Sequence, residues 1–249
     1  MQETHKAGIH TIPVQEIRSV LPFKSPPEIF LPGLTNYLKR WINPASAAGK
    51  PNQILIALGG EHSITYGIVS ALSKTHPKLS VLQLDGHSDL RDEYKDSRYS
   101  HAAVMRRVSE ICPITQVGIR SLGEQDYQII NKGNINIFLA HKIRGDAQIA
   151  KKVLATLTDH VYLTIDMDVF DPAYMPGVGT PEPGGLNWYE VLDILRPVFK
   201  YRQVVGMDVV ELCPMAGNII SDFTTAKLVY RLIGYASAKY FLPSRTKPA

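Results

Sequence analysis

Six short apolar runs punctuate the chain, at Gln53–Leu58, Leu79–Leu84, Ile114–Ile119, Asn134–Leu139, His160–Ile165 and Gln203–Val209, with helical patterns between them. They are too short for helices and lack strict polar alternation, which predicts strands buried on both faces. Strands that alternate with helices build βαβ units. The pattern therefore predicts an α/β fold with a mainly parallel central sheet covered by helices on each side. The closing stretch Asn218–Tyr240 predicts a long helix with Phe223, Leu228, Leu232 and Ile233 facing the sheet. A shorter helix is expected over Ser100–Ile111, capped by Ser100, and another around Leu34–Trp41. The segment from Asp166 to Leu186 contains Pro172, Pro176, Pro181, Pro183 and four glycines, too many breakers for either element, and is predicted to be a rigid loop. Residues 1–52 are proline-rich and weakly periodic, and no internal repeat is visible.

Sites of open parallel sheets gather at the carboxyl ends of the strands. His62 follows the first predicted strand, Asp85, His87 and Asp89 the second, Asp166 and Asp168 the fifth, and Glu211 the last. In extended backbone, side chains two residues apart point the same way, so Asp85, His87 and Asp89 can converge on one point, as can Asp166 and Asp168. Four ionised carboxylates packed together repel and raise one another's pKa unless cations sit among them. Two divalent ions balance four negative charges. A single zinc fits less well, because zinc sites favour Cys and His and take three or four ligands, whereas oxygen-rich ligation with two imidazoles suits a harder ion such as manganese. Two such ions ~3.5–4 Å apart can generate a nucleophile from water at neutral pH, so the implied chemistry is hydrolysis.

With 249 residues, 45% of them hydrophobic and 20% charged, the chain is long enough for one large domain over 1–249 with a real core. The net charge of +4, from 27 basic and 23 acidic residues, demands neither nucleic acid nor membrane as a partner. Cys112 and Cys213 cannot build a disulfide framework, and no apolar run approaches a membrane span, so a soluble protein of the reducing cytoplasm is expected.

The motifs resemble those of the ureohydrolases, the binuclear manganese enzymes that include arginase and agmatinase. The resemblance runs from about Ile54 to the end of the chain. It rests on Gly59-Gly60-Glu61-His62-Ser63, Asp85-Gly86-His87-Ser88-Asp89, Ser100-His101, the run Asp166 to Pro172 with Pro176 to Gly185, and Asp208-Val209-Val210-Glu211. It implies a three-layer α/β/α sandwich of the arginase type and two Mn2+ per chain. The implied ligands are His62, Asp85, His87, Asp89, Asp166 and Asp168. Glu211 would bind the guanidinium and His101 would move protons, with Asp89 also orienting the nucleophile. The family also implies a homo-oligomer, a trimer or hexamer. Two departures stand out: Gly86 replaces the usual alanine, and the strand and glycine-rich segment that normally open family members are expected to be lacking here.

Taken singly, several of these residues have plainer readings. Ser63 and Ser100 could cap helices, Glu211 could pair with Arg120, and Asp171 in Asp-Pro is expected to shape its loop. Cys213 is expected to be a buried small apolar group, and His5, His10, His76, His141 and His160 receive no role.

The resemblance places substrate selection in the loop between Asp89 and His101. Asp92, Glu93 and Asp96 there suit a cationic tail. Agmatine, hydrolysed to putrescine and urea, is therefore the first expectation, followed by aminopropylagmatine, arginine or another guanidine. A formimidoylglutamate hydrolase, a single-zinc amide deacetylase and an inactive metal-binding scaffold are the remaining alternatives.

Overall fold

The structure, a computed structural model, describes residues 8–12, 25–42, 53–130 and 134–240. Helix α1 spans Pro27–Leu38. Strand β1 (Leu55–Leu58) leads into α2 (Ile64–Leu72), and β2 (Leu79–Leu84) leads through a long loop and a 3-10 turn at His101–Ala103 into α3 (Val104–Ser109). Then come β3 (Ile114–Ile119), α4 (Glu124–Ile130), β4 (Ile135–Leu139), α5 (Ala140–Ile143) and α6 (Ile149–Thr156). β5 (His160–Asp166), α7 (Trp188–Tyr201), β6 (Gln203–Val210) and α8 (Ile220–Tyr240) complete the fold.

The six strands form one sheet in the order β1-β6-β5-β2-β3-β4. Every neighbouring pair is parallel. From β2 the chain proceeds outward through β3 to β4, then returns to lay β5 on the other side of β2. The boundary between β2 and β5 is thus a topological switch point, where the connections diverge and leave a crevice above the strand ends.

The pleat divides the core between two faces. Leu82 and Leu84 of β2 join Leu163 and Ile165 of β5 beneath α6, α7 and α8. Val81 faces the other way, with Tyr162, Ile114 and residues of α1, α2 and α3. Helices cover both faces, so the sheet is the middle of three layers. Leu82, Leu84, Leu163 and Ile165 are wholly buried, and each such side chain contributes about 1.5–3 kcal/mol relative to exposure. The edge strands β1 and β4 are less deeply buried.

Three expectations need correction. Helix α1 starts at Pro27 rather than near Leu34, because Pro26 and Pro27 form its entry, where a missing N–H costs nothing; Pro32 is then carried inside it. In α8 the inward positions of the first turns belong to Ser221 and Thr225, ahead of Leu228 and Leu232. Phe223 falls between them and is 66% exposed. The helix expected over Ser100–Ile111 begins as a 3-10 turn, and the Ser100 side chain makes no capping bond. Much of the segment 1–52 lies outside the described residues. No described helix is long and apolar enough to cross a membrane.

Candidate metal centre

Register brings the acidic strand ends together. Leu84 of β2 lies beside Ile165 of β5, so Asp85 and Asp166 leave the sheet side by side at the switch point. Gly118 of β3 permits close packing there: at φ +96°, a Cβ on it would come within 3.0 Å of the Asp85 carbonyl oxygen and 2.8 Å of Val169. Asp89 adopts φ +53°, a left-handed conformation that non-glycine residues rarely hold and that recurs at functional sites. Its carbonyl accepts bonds from Met105 N at 3.0 Å and Arg106 N at 3.2 Å. The first turn of α3 thus holds this strained residue in place.

All six expected ligands meet in one pocket. His62, Asp85 and Asp166 bring ligand atoms within 4.8 Å of one another, as do Asp85, His87 and Asp168, so Asp85 is common to two triads. His62 Nδ1 lies 3.3 Å from Asp85 Oδ2, 3.1 Å from Asp89 Oδ2 and 3.3 Å from Asp166 Oδ2. Although wholly buried, that nitrogen has no hydrogen-bond partner. A nitrogen ringed at ligand distance by three carboxylate oxygens, without a proper bond to any, fits a divalent cation at their centre. His87 Nδ1 lies 2.8 Å from Asp168 Oδ2 and 3.8 Å from Asp85 Oδ1.

Backbone amides aim the carboxylates. His87 N donates to Asp85 Oδ1 at 2.6 Å, Gly86 N to Asp168 Oδ1 at 2.9 Å, and Asp168 N to Asp166 Oδ1 at 2.9 Å. Charge crowding is marked without cations. Burial, then repulsion from Asp168 and Asp89, pushes Asp85 up to about 8, and burial with repulsion from Asp85 holds Asp166 well above the usual carboxylate range. Desolvation lowers the pKa of both imidazoles, but the carboxylates outweigh it. His62 ends well above its ordinary value through Asp166, Asp85 and Asp89, and His87 rises to about 9 through Asp168. This donor set has the excess negative charge that two divalent ions would neutralise.

Glu211 lies at the pocket edge with φ +62°. Its Oε1 accepts from His62 N at 2.8 Å, and its own N donates to Gly60 O at 2.7 Å. Burial raises its pKa. It does not pair with Arg120, whose guanidinium instead donates to the carbonyls of Asp168 at 2.7 Å, Phe170 at 3.4 Å and Glu182 at 2.7 Å. That strap, together with Asp171 accepting from Ala173 N, Gly184 N and Gly185 N, makes the proline-rich segment an ordered wall. His101 stands at the rim with a 43% exposed side chain. Its Nδ1 is 4.0 Å from Glu61 Oε2, and Tyr94 packs edge-on to its ring.

In the loop after Asp89, Lys95 and Asp96 both take positive φ and form a tight turn closed by Tyr94 N to Ser97 O at 2.9 Å. Glu93 and Asp96 are exposed. Asp92 is engaged by Arg107 Nη2 at 2.5 Å and Arg98 Nη2 at 3.5 Å. Asp92, expected to suit a cationic substrate tail, is thus paired with buried Arg107. Cys213 is exposed rather than buried, since β6 ends three residues earlier.

Sequence reasoning gave no role to Gln83, Thr164 and Asp208. Gln83 Nε2 donates to Asp85 Oδ2 at 2.6 Å. The signal was available: each is a polar residue inside an otherwise apolar strand.

A model of the arginase family matches residues 9–234 of this chain. The chain belongs to the arginase family. It is 45% identical over 186 residues to the N(1)-aminopropylagmatine ureohydrolase of Synechocystis sp., an alignment that covers 74% of this chain and 61% of that protein. With the agmatinase of Pyrococcus horikoshii it shares 38% identity over 75% of this chain and 64% of the relative. The chain thus spans somewhat less than two thirds of the length of these relatives. Among solved structures, the agmatine ureohydrolase of Thermoplasma volcanium matches with a TM-score of 0.72 at 30% identity, over 87% of this chain and 71% of that one. The proclavaminate amidino hydrolase of Streptomyces clavuligerus matches with a TM-score of 0.76 at 28% identity, over 89% and 73%. The arginase-like α/β sandwich is common to them, and the two His/Asp triads are consistent with the family's binuclear metal site.

Proposed function

We propose that this chain is a binuclear ureohydrolase that cleaves the guanidino group of N1-aminopropylagmatine, releasing urea and a primary amine. The observation that carries the reading is the pair of triads sharing Asp85 beside the half-buried carboxylate of Glu211. The sequence alone places agmatine first, but 45% identity to an aminopropylagmatine ureohydrolase, against 38% to an agmatinase, favours reversing that order. Agmatine is the second reading. A homo-oligomer, trimer or hexamer, is the assembly this reading expects.

In the proposed mechanism His62, Asp85, Asp89 and Asp166 would hold one cation, and Asp85, His87 and Asp168 would hold the other, with manganese favoured by the oxygen-rich donors. Two such ions would supply Lewis-acid activation of water at the guanidino carbon. Glu211 orients the substrate. Its carboxylate, held by the His62 amide, matches a planar guanidinium through paired charge-assisted bonds. Its raised pKa marks a partly desolvated anion that gains from a cationic partner. His101, on the solvent side of the pocket, passes a proton to the departing amine.

The test compares kcat/KM for aminopropylagmatine, agmatine and arginine with manganese present, followed by urea release. Aminopropylagmatine is expected to lead, then agmatine, with arginine penalised because its carboxylate meets an acidic pocket. Glu211→Gln is expected to lose activity on every substrate. His101→Ala is expected to keep two metals per chain by elemental analysis yet lose about 10²–10⁴-fold in rate. Arginine as best substrate, or an unchanged Glu211→Gln, overturns the assignment.

A further inference from the structure

Beneath His62 the layer facing α2 contains a buried polar core where the strand pattern calls for apolar side chains. Asp208 of β6 is completely buried and accepts three hydroxyl bonds: Tyr162 Oη to Oδ2 at 2.5 Å, Thr65 Oγ1 to Oδ2 at 2.7 Å, and Thr164 Oγ1 to Oδ1 at 2.6 Å. Thr164 also lies 2.8 Å from Nε2 of His62.

Counting hydrogens settles the direction of that last contact. A threonine hydroxyl carries one hydrogen. Thr164 gives it to Asp208 Oδ1 at 2.6 Å, one of three hydroxyl donors that favour the ionised carboxylate against the burial that raises its pKa. The contact with His62 must therefore run from Nε2–H to Thr164 Oγ1. With the hydrogen on Nε2, Nδ1 is the nitrogen left to bind a cation, and it is the atom aimed at Asp85, Asp89 and Asp166. Thr65, the second residue of α2, donates to the same carboxylate, so the helix that follows His62 is tied to the network that orients its ring.

We propose that Asp208, acting through Thr164, is the positioning residue that fixes the tautomer and ring orientation of His62 and so sets the affinity of the buried cation position. The inference rests on the metal-centre reading above. Thr164 stands one hydrogen bond behind the ligand and Asp208 two, and outer partners of this kind typically govern about 10–100-fold in affinity. His87 has no part in this network and serves as the internal control.

The experiment titrates Mn2+ into metal-free protein and resolves two dissociation constants, in the wild type and in Thr164→Val, Thr164→Ser and Asp208→Asn. Valine keeps the shape of threonine and deletes the hydroxyl; serine keeps the hydroxyl. Thr164→Val and Asp208→Asn are expected to weaken one site about 10–100-fold and leave the other near its wild-type value, with Thr164→Ser restoring the first. Unchanged constants in Thr164→Val overturn the proposal. So does equal weakening of both sites, which marks a general structural role. Loss of helical circular dichroism in both metal-free variants also overturns it, since the residues would then serve folding rather than the ligand. A wild-type protein that binds no manganese overturns the metal-centre reading instead, and this inference with it.

Discussion

The two imidazoles of the pocket occupy contrasting surroundings. His62 is sealed, with Nε2 anchored to Thr164 and Nδ1 left unbonded among three carboxylates. His87 is 23% exposed and has already found a partner, placing Nδ1 2.8 Å from Asp168 Oδ2. One side is preorganised and frustrated; the other has relaxed into an ion pair. Either cation would take the place of a proton on its imidazole, but one entering beside His87 must also break the 2.8 Å contact with Asp168, whereas Nδ1 of His62 has no bond to lose. The same six residues are therefore expected to form two unequal positions, a tight buried one and a looser one nearer solvent.

The most severe way to break this contrast is to remove what both positions share. Asp85→Asn keeps the shape of the ligand and deletes a charge from both triads. Both metals are expected to be lost by elemental analysis, with activity falling roughly 10³-fold or more, the scale of the several kcal/mol such ions supply. Single removals should then separate the positions: His62→Ala is expected to abolish the tight manganese site and His87→Ala the weak one. The reverse assignment would show that burial does not set the order.

A smaller effect should appear in the metal-free protein as pH changes. His87 has its pKa raised from 6.5 to about 9 by Asp168, so its stabilising contribution is complete below 6.5 and disappears as pH rises through 9. Asp85, raised from 3.8 to about 8 chiefly by burial, acts in the same direction, because the folded state keeps its proton longer than the unfolded chain. Its contribution is complete below 3.8 and is lost as pH rises through 8. The melting temperature with chelator present is expected to fall between pH 6.5 and 9, and saturating manganese to remove most of that fall. A metal-free melting temperature that rises across this interval contradicts the sign.

The strands were readable because burial on both faces leaves an unbroken apolar signature. Leu79–Leu84 and Ile114–Ile119 are found as expected, and the other strands end within two residues of expectation. The convergence of the candidate ligands was legible for a related reason, since acids that alternate at the end of a buried apolar run point the same way and repel one another unless a cation sits among them. What escaped depends on contacts distant in sequence. Nothing local to Asp208 reveals that Thr65 and Thr164 converge on it, and nothing local to Asp92 reveals that α3 supplies Arg107. Phe223 misled because hydrophobicity implied burial where small Ser221 and Thr225 fit closer to the sheet.

Asp92 supplies the smallest and most discriminating test of the rim against the pocket. If the acidic residues after Asp89 read the substrate tail by charge, neutralising one should cost selectivity for cationic tails by tenfold or more, about 1.4 kcal/mol. The structure points the other way, because Asp92 is held by Arg107 at 2.5 Å, which keeps its carboxyl below the usual range. Its charge is spent on a buried arginine. Asp92→Asn is therefore expected to change the ratio of kcat/KM for aminopropylagmatine over arginine by less than about threefold, the scale of ordinary surface substitutions. Its effect should fall instead on α3, as a small drop in melting temperature from leaving Arg107 with one partner fewer. A tenfold loss of selectivity at unchanged melting temperature would return Asp92 to the substrate.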